Sequence, residues 1–143
     1  MDVKPPHRGP HPAAVAAGTV ISVALCLLAD ALLAKAGTRL FPSTRGYVHF
    51  QFSDYAKLTV IGVVIACLAW PVVVRLSRDP RWVYAWLAVL VTVVLLLPDL
   101  YIWLMGQPGR AVLVLATMHL AIALITYNVL VRVAPPRSPR TAE

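Results

Sequence analysis

Charge is scarce in this chain: only 13% of its 143 residues are Asp, Glu, Lys or Arg, where an ordinary soluble domain has about 25%. At 59% apolar even before glycine is counted, the chain is too apolar for a water-soluble globule of this size. Disorder is excluded too, because disordered chains are poor in apolar residues. Cysteine is almost missing. Cys26 and Cys67 both fall inside apolar runs and read as small buried packing residues, not as a disulfide framework. The common chemical motifs are also missing: there is no G-x-S-x-G, no phosphate-binding loop and no Cys-x-x-Cys. Nucleophilic hydrolysis, nucleotide binding and thiol redox chemistry therefore have no support.

Acid is scarcer than base, with six Asp and Glu against thirteen Lys and Arg, for a net charge of +7. In a soluble protein that excess would suggest nucleic acid. Here the basic residues flank apolar runs, where they set topology and meet anionic lipid head groups. A bilayer with anionic head groups is the expected partner, and nucleic acid is not.

What remains is an all-α integral membrane protein. About 20 helical residues cross the hydrocarbon, and four apolar runs use most of the chain. Residues 1–12 are polar and proline-rich and read as a flexible cytoplasmic tail. Helices are expected over about 13–35, 56–76, 82–105 and 110–133, making a transmembrane domain of 13–133. Residues 134–143 form a second flexible cytoplasmic tail. A basic start and the triplet Ala34-Lys35-Ala36 imitate a signal peptide, but the first apolar run far exceeds an h-region of about 7–15 residues. It reads as a retained span. The outer loop, 36–55, alternates Val48, Phe50 and Phe52 with Tyr47, His49 and Gln51, which predicts a short strand or an extended piece at the interface. Pro71 is expected to bend the end of helix two and Pro98 to interrupt helix three. Trp70, Trp82 and Trp103 lie near helix ends and read as an aromatic belt. Trp86 sits a turn further in and is expected to face lipid.

In lipid the informative positions are small and polar. Helix one carries Ala14, Gly18, Ser22, Cys26 and Asp30 at intervals of four. Helix two has Thr59, Gly62, Ala66 and Ala69. Helix three has Ala85, Ala88, Thr92 and Asp99, and helix four has Ala116, His119, Ala123 and Thr126. Small residues let backbones approach and polar ones pair across helices. The shared spacing predicts four stripes facing a common centre in an antiparallel four-helix bundle, because the last two connections are short. Gly18, Ser22, Gly62, Ala66, Ala88, Thr92 and Ala123 are the expected packing positions.

Three ionisable residues stand out. Asp30 lies about one turn from the outer end of helix one, Asp99 nearly two turns from that of helix three, and His119 about 14 Å into helix four at 1.5 Å per residue. An acid within the hydrocarbon costs about 2.5–3.5 kcal/mol on insertion scales and must be protonated, paired or wet. Asp30, Asp99 and His119 are therefore the candidate polar or proton site. The plainer alternative has Asp30 snorkelling or pairing with Lys35 or Arg110, and His119 packing through a hydrogen bond. No i, i+4 ligand spacing supports a metal site, and neither a metal nor a cofactor is expected.

The run LLLPDLYIW in helix three followed by TMHLAIALI in helix four resembles a group of small bacterial four-span membrane proteins of unknown function. They are similar in a proline-containing end of the third helix and a histidine after a methionine in the fourth. The acid at Asp99, just after that proline, is a feature of this chain that the group's pattern does not require. The resemblance implies a four-span fold and no particular activity. The first functional reading is a non-enzymatic accessory or interaction subunit of a larger membrane assembly, with a membrane-protein partner or a second copy. The alternative is a small transporter, channel-like protein or lipid-modifying enzyme using Asp30, Asp99 and His119.

Lys4, Arg8, Arg75, Arg78, Arg81, Arg132, Arg137 and Arg140 fall on the side of the termini, against Lys35, Arg39, Arg45, Lys57 and Arg110 on the other. This bias predicts a multi-pass protein of the bacterial plasma membrane with both termini cytoplasmic. A reporter fused to the C-terminus is expected to give a cytoplasmic signal; a signal from outside the cell would reverse the orientation and with it the depths assigned to the three residues.

Overall fold

The computed structural model describes residues 8–138. Lys4 and Arg140, and the expected tail segments 1–7 and 139–143, lie outside the described residues. Four helices follow in order: α1 (Pro12–Leu40), α2 (Phe52–Leu76), α3 (Pro80–Leu104) and α4 (Gly109–Val133). All four are long and apolar enough to cross a membrane. In hydrocarbon a continuous helix is one of the few ways to satisfy every backbone N–H and C=O internally. The chain forms an all-α antiparallel four-helix bundle. α4 packs on α1 and α3, α1 also packs on α2, and α2 meets α3 and α4 more lightly. One end of the bundle carries the 41–51 loop and the other carries both chain ends.

Local sequence sets the boundaries. Pro12 opens α1, where its missing N–H costs nothing, and the His11 ring accepts from the Ala13 N–H at 3.2 Å. Pro80 opens α3 in the same way. α1 runs to Leu40, beyond the expected residue 35, and Arg39 in its last turn complements the negative end of the helix dipole. α2 starts at Phe52, with Asp54 in its first turn, and not at residue 56. Pro71 and Pro98 both lie inside continuous helices, so Pro98 does not interrupt α3.

The loop forms no strand. It winds into two single-turn 3-10 helices, Pro42–Thr44 and Val48–Phe50, around Gly46, whose φ of 80° favours glycine. The alternation from Tyr47 to Phe52 is overridden because a lone strand would leave its backbone groups unpaired. The turns pair them locally, for example Phe50 N–H to Tyr47 C=O at 3.0 Å.

The closest packing joins α1 to α4. Gly18, Ser22, Cys26, Asp30, Ala34 and Gly37 are all buried, continuing the interval of four seen in the sequence. Gly18 meets Leu130, and Gly37 meets Val114 so tightly that an added Cβ would come within 2.8 Å of a Val114 methyl. On α2 the buried positions are Thr59, Val63, Cys67, Trp70, Val73 and Val74. The expected stripe through Gly62 and Ala66 is therefore displaced by about one residue. Gly62 is exposed, with nothing within 4 Å of where a Cβ would sit. Thr92 on α3 is buried and Ala88 partly so. On α4 the buried row is Ala111, Val114, Met118, Thr126 and Leu130, while Ala123 and His119 flank it, partly covered.

Towards the terminus end the core is apolar and aromatic. Trp70 is 0% exposed, which removes it from the aromatic belt. Its indole N–H donates to the Ala134 carbonyl at 2.8 Å and its ring meets Tyr84 edge-on at 5.0 Å. The Tyr84 hydroxyl donates to the Ala66 carbonyl at 2.8 Å. Trp82, Trp86 and Trp103 are exposed. Residues 8 and 137 pair: the Arg137 N–H donates to the Arg8 carbonyl at 3.2 Å and its guanidinium to the Gly9 carbonyl at 2.7 Å. The inner parts of the two expected tails are thus tied to each other.

The two glycines make opposite predictions. Gly37→Ala should destabilise the bundle by about 1–3 kcal/mol through overpacking against the stiff Val114 side chain, and Val114→Ala should restore part of the loss. Gly62→Ala should be neutral or stabilising by up to about 1 kcal/mol, as alanine loses less entropy in a helix. The thermal midpoints of the detergent-solubilised variants check both.

Candidate functional site

The α3–α4 connection is short, closed by Gly106 at a φ of 88°, and holds the two helices side by side. Asp99, five residues before the end of α3, therefore faces His119, ten residues into α4. Asp99 Oδ2 and His119 Nδ1 lie 3.0 Å apart, with side chains 9% and 26% exposed. That separation suits an ion pair when the imidazole is protonated. Neither atom completes an aligned hydrogen bond, with the other or with any third group. The structure thus brings together two of the three ionisable residues singled out in the sequence.

Asp30 stands apart from that contact. It is 1% exposed, and its partner is a threonine on α2: the Thr59 hydroxyl donates to Asp30 Oδ2 at 2.6 Å. The other oxygen, Oδ1, has no hydrogen-bond partner. Neither Lys35 nor Arg110 holds it; Arg110 lies over the Phe41 ring at 5.3 Å. Asp30 snorkelling to the interface is likewise excluded by its burial. Cys26 lies beside Thr126 and Gly37 against Val114. Asp30, between them on α1, therefore stands at the level of His119, and the acid and the pair occupy the same, loop-bearing half of the bundle.

The loop covers this half. Thr44 is buried and anchors it, donating to the Phe41 carbonyl at 2.8 Å and reaching the Gly37 carbonyl at 3.5 Å. The Tyr47 ring packs edge-on against His49 and Phe50, at 5.3 and 5.2 Å. Its hydroxyl is buried with no hydrogen-bond partner. Burial first, and the charge of Asp99 second, push the Tyr47 phenol above its usual value. Tyr47 and Thr59 were not among the expected site residues. Thr59 could have been found as the hydroxyl within reach of a buried acid; Tyr47 carries no sequence signal beyond being an aromatic loop residue.

Beside the pair, an open groove of about 380 Å³ runs along the outside of α3 and α4. Val93, Leu97, Leu100 and Trp103 form most of its wall and Asp99 is its acidic member. Among the described residues no group of three or more His, Cys, Asp or Glu is close enough to hold a metal ion.

In sequence comparisons the model of a family of unknown function, DUF6069, matches residues 3–136. No curated protein and no solved structure matches the chain.

The pair itself can be tested through stability. His119→Ala removes the imidazole that faces Asp99 at 3.0 Å and leaves a nearly buried carboxyl without its counter-charge, which should cost about 1–3 kcal/mol. The double variant Asp99→Leu/His119→Leu should lose less than His119→Ala alone, since it leaves no orphan behind. Thermal unfolding in detergent of the double variant and of its two single variants reads the coupling, and a double-variant loss equal to the sum of the single losses would show that the pair does not couple.

Proposed function

The chain belongs to the DUF6069 family of unknown function, and from that premise we propose that this multi-pass membrane protein is a non-enzymatic accessory subunit that docks on a larger membrane assembly through the groove on α3 and α4. The observation that carries this reading is Asp99 in the wall of an apolar groove on the outside of the bundle. Exposed apolar residues alone are what any span shows to lipid. Asp99 is itself nearly covered, while His119 beside it keeps 26% of its side chain exposed. An ionisable ring is costly against hydrocarbon, and a partner helix with small or polar residues laid into the groove would complete its cover. We further propose the bacterial plasma membrane as its location, with both termini cytoplasmic, on the strength of the Lys and Arg bias.

A second reading, a small transporter or a lipid-modifying enzyme, is favoured by the 3.0 Å approach of Asp99 and His119. Against a transport path within one copy stands the other half of the bundle, where Trp70, Val74 and Leu130 are fully buried and packed together.

Affinity purification in mild detergent separates the two. A stoichiometric partner is expected with the wild type, and its recovery should fall at least about tenfold with Leu97→Trp, which at about 1.4 kcal/mol is a modest steric penalty at a helix–helix interface. Isolation of the chain alone, from wild type and variant equally, would remove the docking role.

A further inference from the structure

Four elements each direct a buried polar atom without a protein partner into the loop-bearing half of the bundle. These are Asp30 Oδ1 on α1, Tyr47 Oη in the loop, Asp99 Oδ2 on α3 and His119 Nδ1 on α4. Only Asp99 and His119 are close enough to touch, at 3.0 Å. Asp30 is hydrogen-bonded to α2 through Thr59, and the α1–α4 contacts on either side of it, Cys26 with Thr126 at 3.7 Å and Gly37 with Val114, set it at the level of Met118 and His119 on α4. Native proteins leave few such atoms unpaired. The usual solution is a bound water, which makes about three hydrogen bonds to groups of this kind and is retained because they have no other partner. The donor and acceptor types fit. Carboxylate oxygens accept, the phenol can donate or accept, and a ring nitrogen does either according to its proton.

We propose that a small cluster of bound water joins Asp30 to the Asp99–His119 pair beneath Tyr47, so that the three ionisable groups share exchangeable protons as one unit. Each element around this half of the bundle carries titratable or hydroxyl groups. Asp30 and Cys26 lie on α1, Thr59 and Tyr55 on α2, Tyr47 and His49 in the loop, Asp99 on α3 and His119 on α4. Tyr47 is the cover: its ring is wedged between His49 and Phe50, and the loop that carries it is pinned by the buried Thr44. The ligand is thus water together with the proton it carries; among the described residues no three of His, Cys, Asp or Glu come together as a metal site would require. This role goes beyond docking and does not require a partner to exist.

The test uses the full chain, labelled with ¹⁵N at histidine, in lipid nanodiscs, with the His119 ring signals assigned by difference against His119→Gln. Three results are expected. Water magnetisation should reach the His119 ring. Asp30→Asn should lower the pH midpoint of His119 by about half a unit or more, because a carboxylate linked to the imidazole favours its charged form. Tyr47→Phe should speed exchange of the ring proton with bulk water several-fold. Asp30 does not touch His119, so a His119 midpoint unchanged in Asp30→Asn, while Asp99→Asn moves it, would overturn the shared unit. Failure of water magnetisation to reach the ring would overturn the water cluster. Should Asp30→Asn not fold, Thr59→Val, which removes the partner of Asp30 without changing charge, is read in the same way. The nanodisc measurements are made on the chain alone and partner recovery is read by purification, so the two proposals fail separately.

Discussion

The close approach of α1 to α4 governs the rest of the structure. In hydrocarbon there is no water to expel between two helices, so association depends on how closely their backbones can come and on what polar groups find across the gap. A row with a small residue or an acid at nearly every fourth position on α1 lets α4 in, and the contacts of Gly18 with Leu130 and Gly37 with Val114 fix its register at both ends. Once that register is set, the middle of the row must face α4 as well. Cys26 comes to lie 3.7 Å from the Thr126 hydroxyl, and Asp30, one turn further along, cannot turn to lipid. The burial of the acid is a by-product of the packing that holds the bundle together.

Because Asp30 is held inside, it needs a partner, and α2 supplies one. Thr59 is buried at the loop end of α2, placed by the same face that puts Trp70 between Tyr84 and the Ala134 carbonyl at the opposite end. A single helix therefore serves two kinds of environment. Its loop-end turns offer a hydroxyl to an acid, and its terminus-end turns fill the centre with indole, thiol and branched aliphatic side chains. The division of the interior into a polar half and an apolar half follows from the position of these side chains along one face.

The number of spans, their antiparallel order and the buried row on α1 could all be read from the sequence, because hydropathy and an interval of four are strong, local signals. The buried face of α2 could not. Small residues mark closeness only when a neighbour comes near, and Gly62 points where no neighbour comes, whereas Val63 and Trp70, which look like ordinary lipid-facing side chains, make the core. Trp70 was misleading for the same reason: proximity to a helix end suggests an interfacial ring, but the carbonyl of Ala134 and the ring of Tyr84 reward burial. In the candidate site, the nearness of Asp99 and His119 followed from a short turn and counted residues. The link from Asp30 to Thr59 and the descent of Tyr47 over the cluster depend on helix rotation and loop path, which no periodicity encodes. The loop's alternating pattern pointed to a strand that had no partner to pair with.

Trp70, packed with Tyr84 and Leu130, has a consequence that reaches beyond stability. It fills the terminus half of the described bundle with aromatic and aliphatic side chains, so the interior is chemically one-sided: the buried carboxyls of Asp30 and Asp99, and the histidine that faces one of them, all lie in the loop half. Under the shared-proton proposal, exchange at these groups belongs to that side alone.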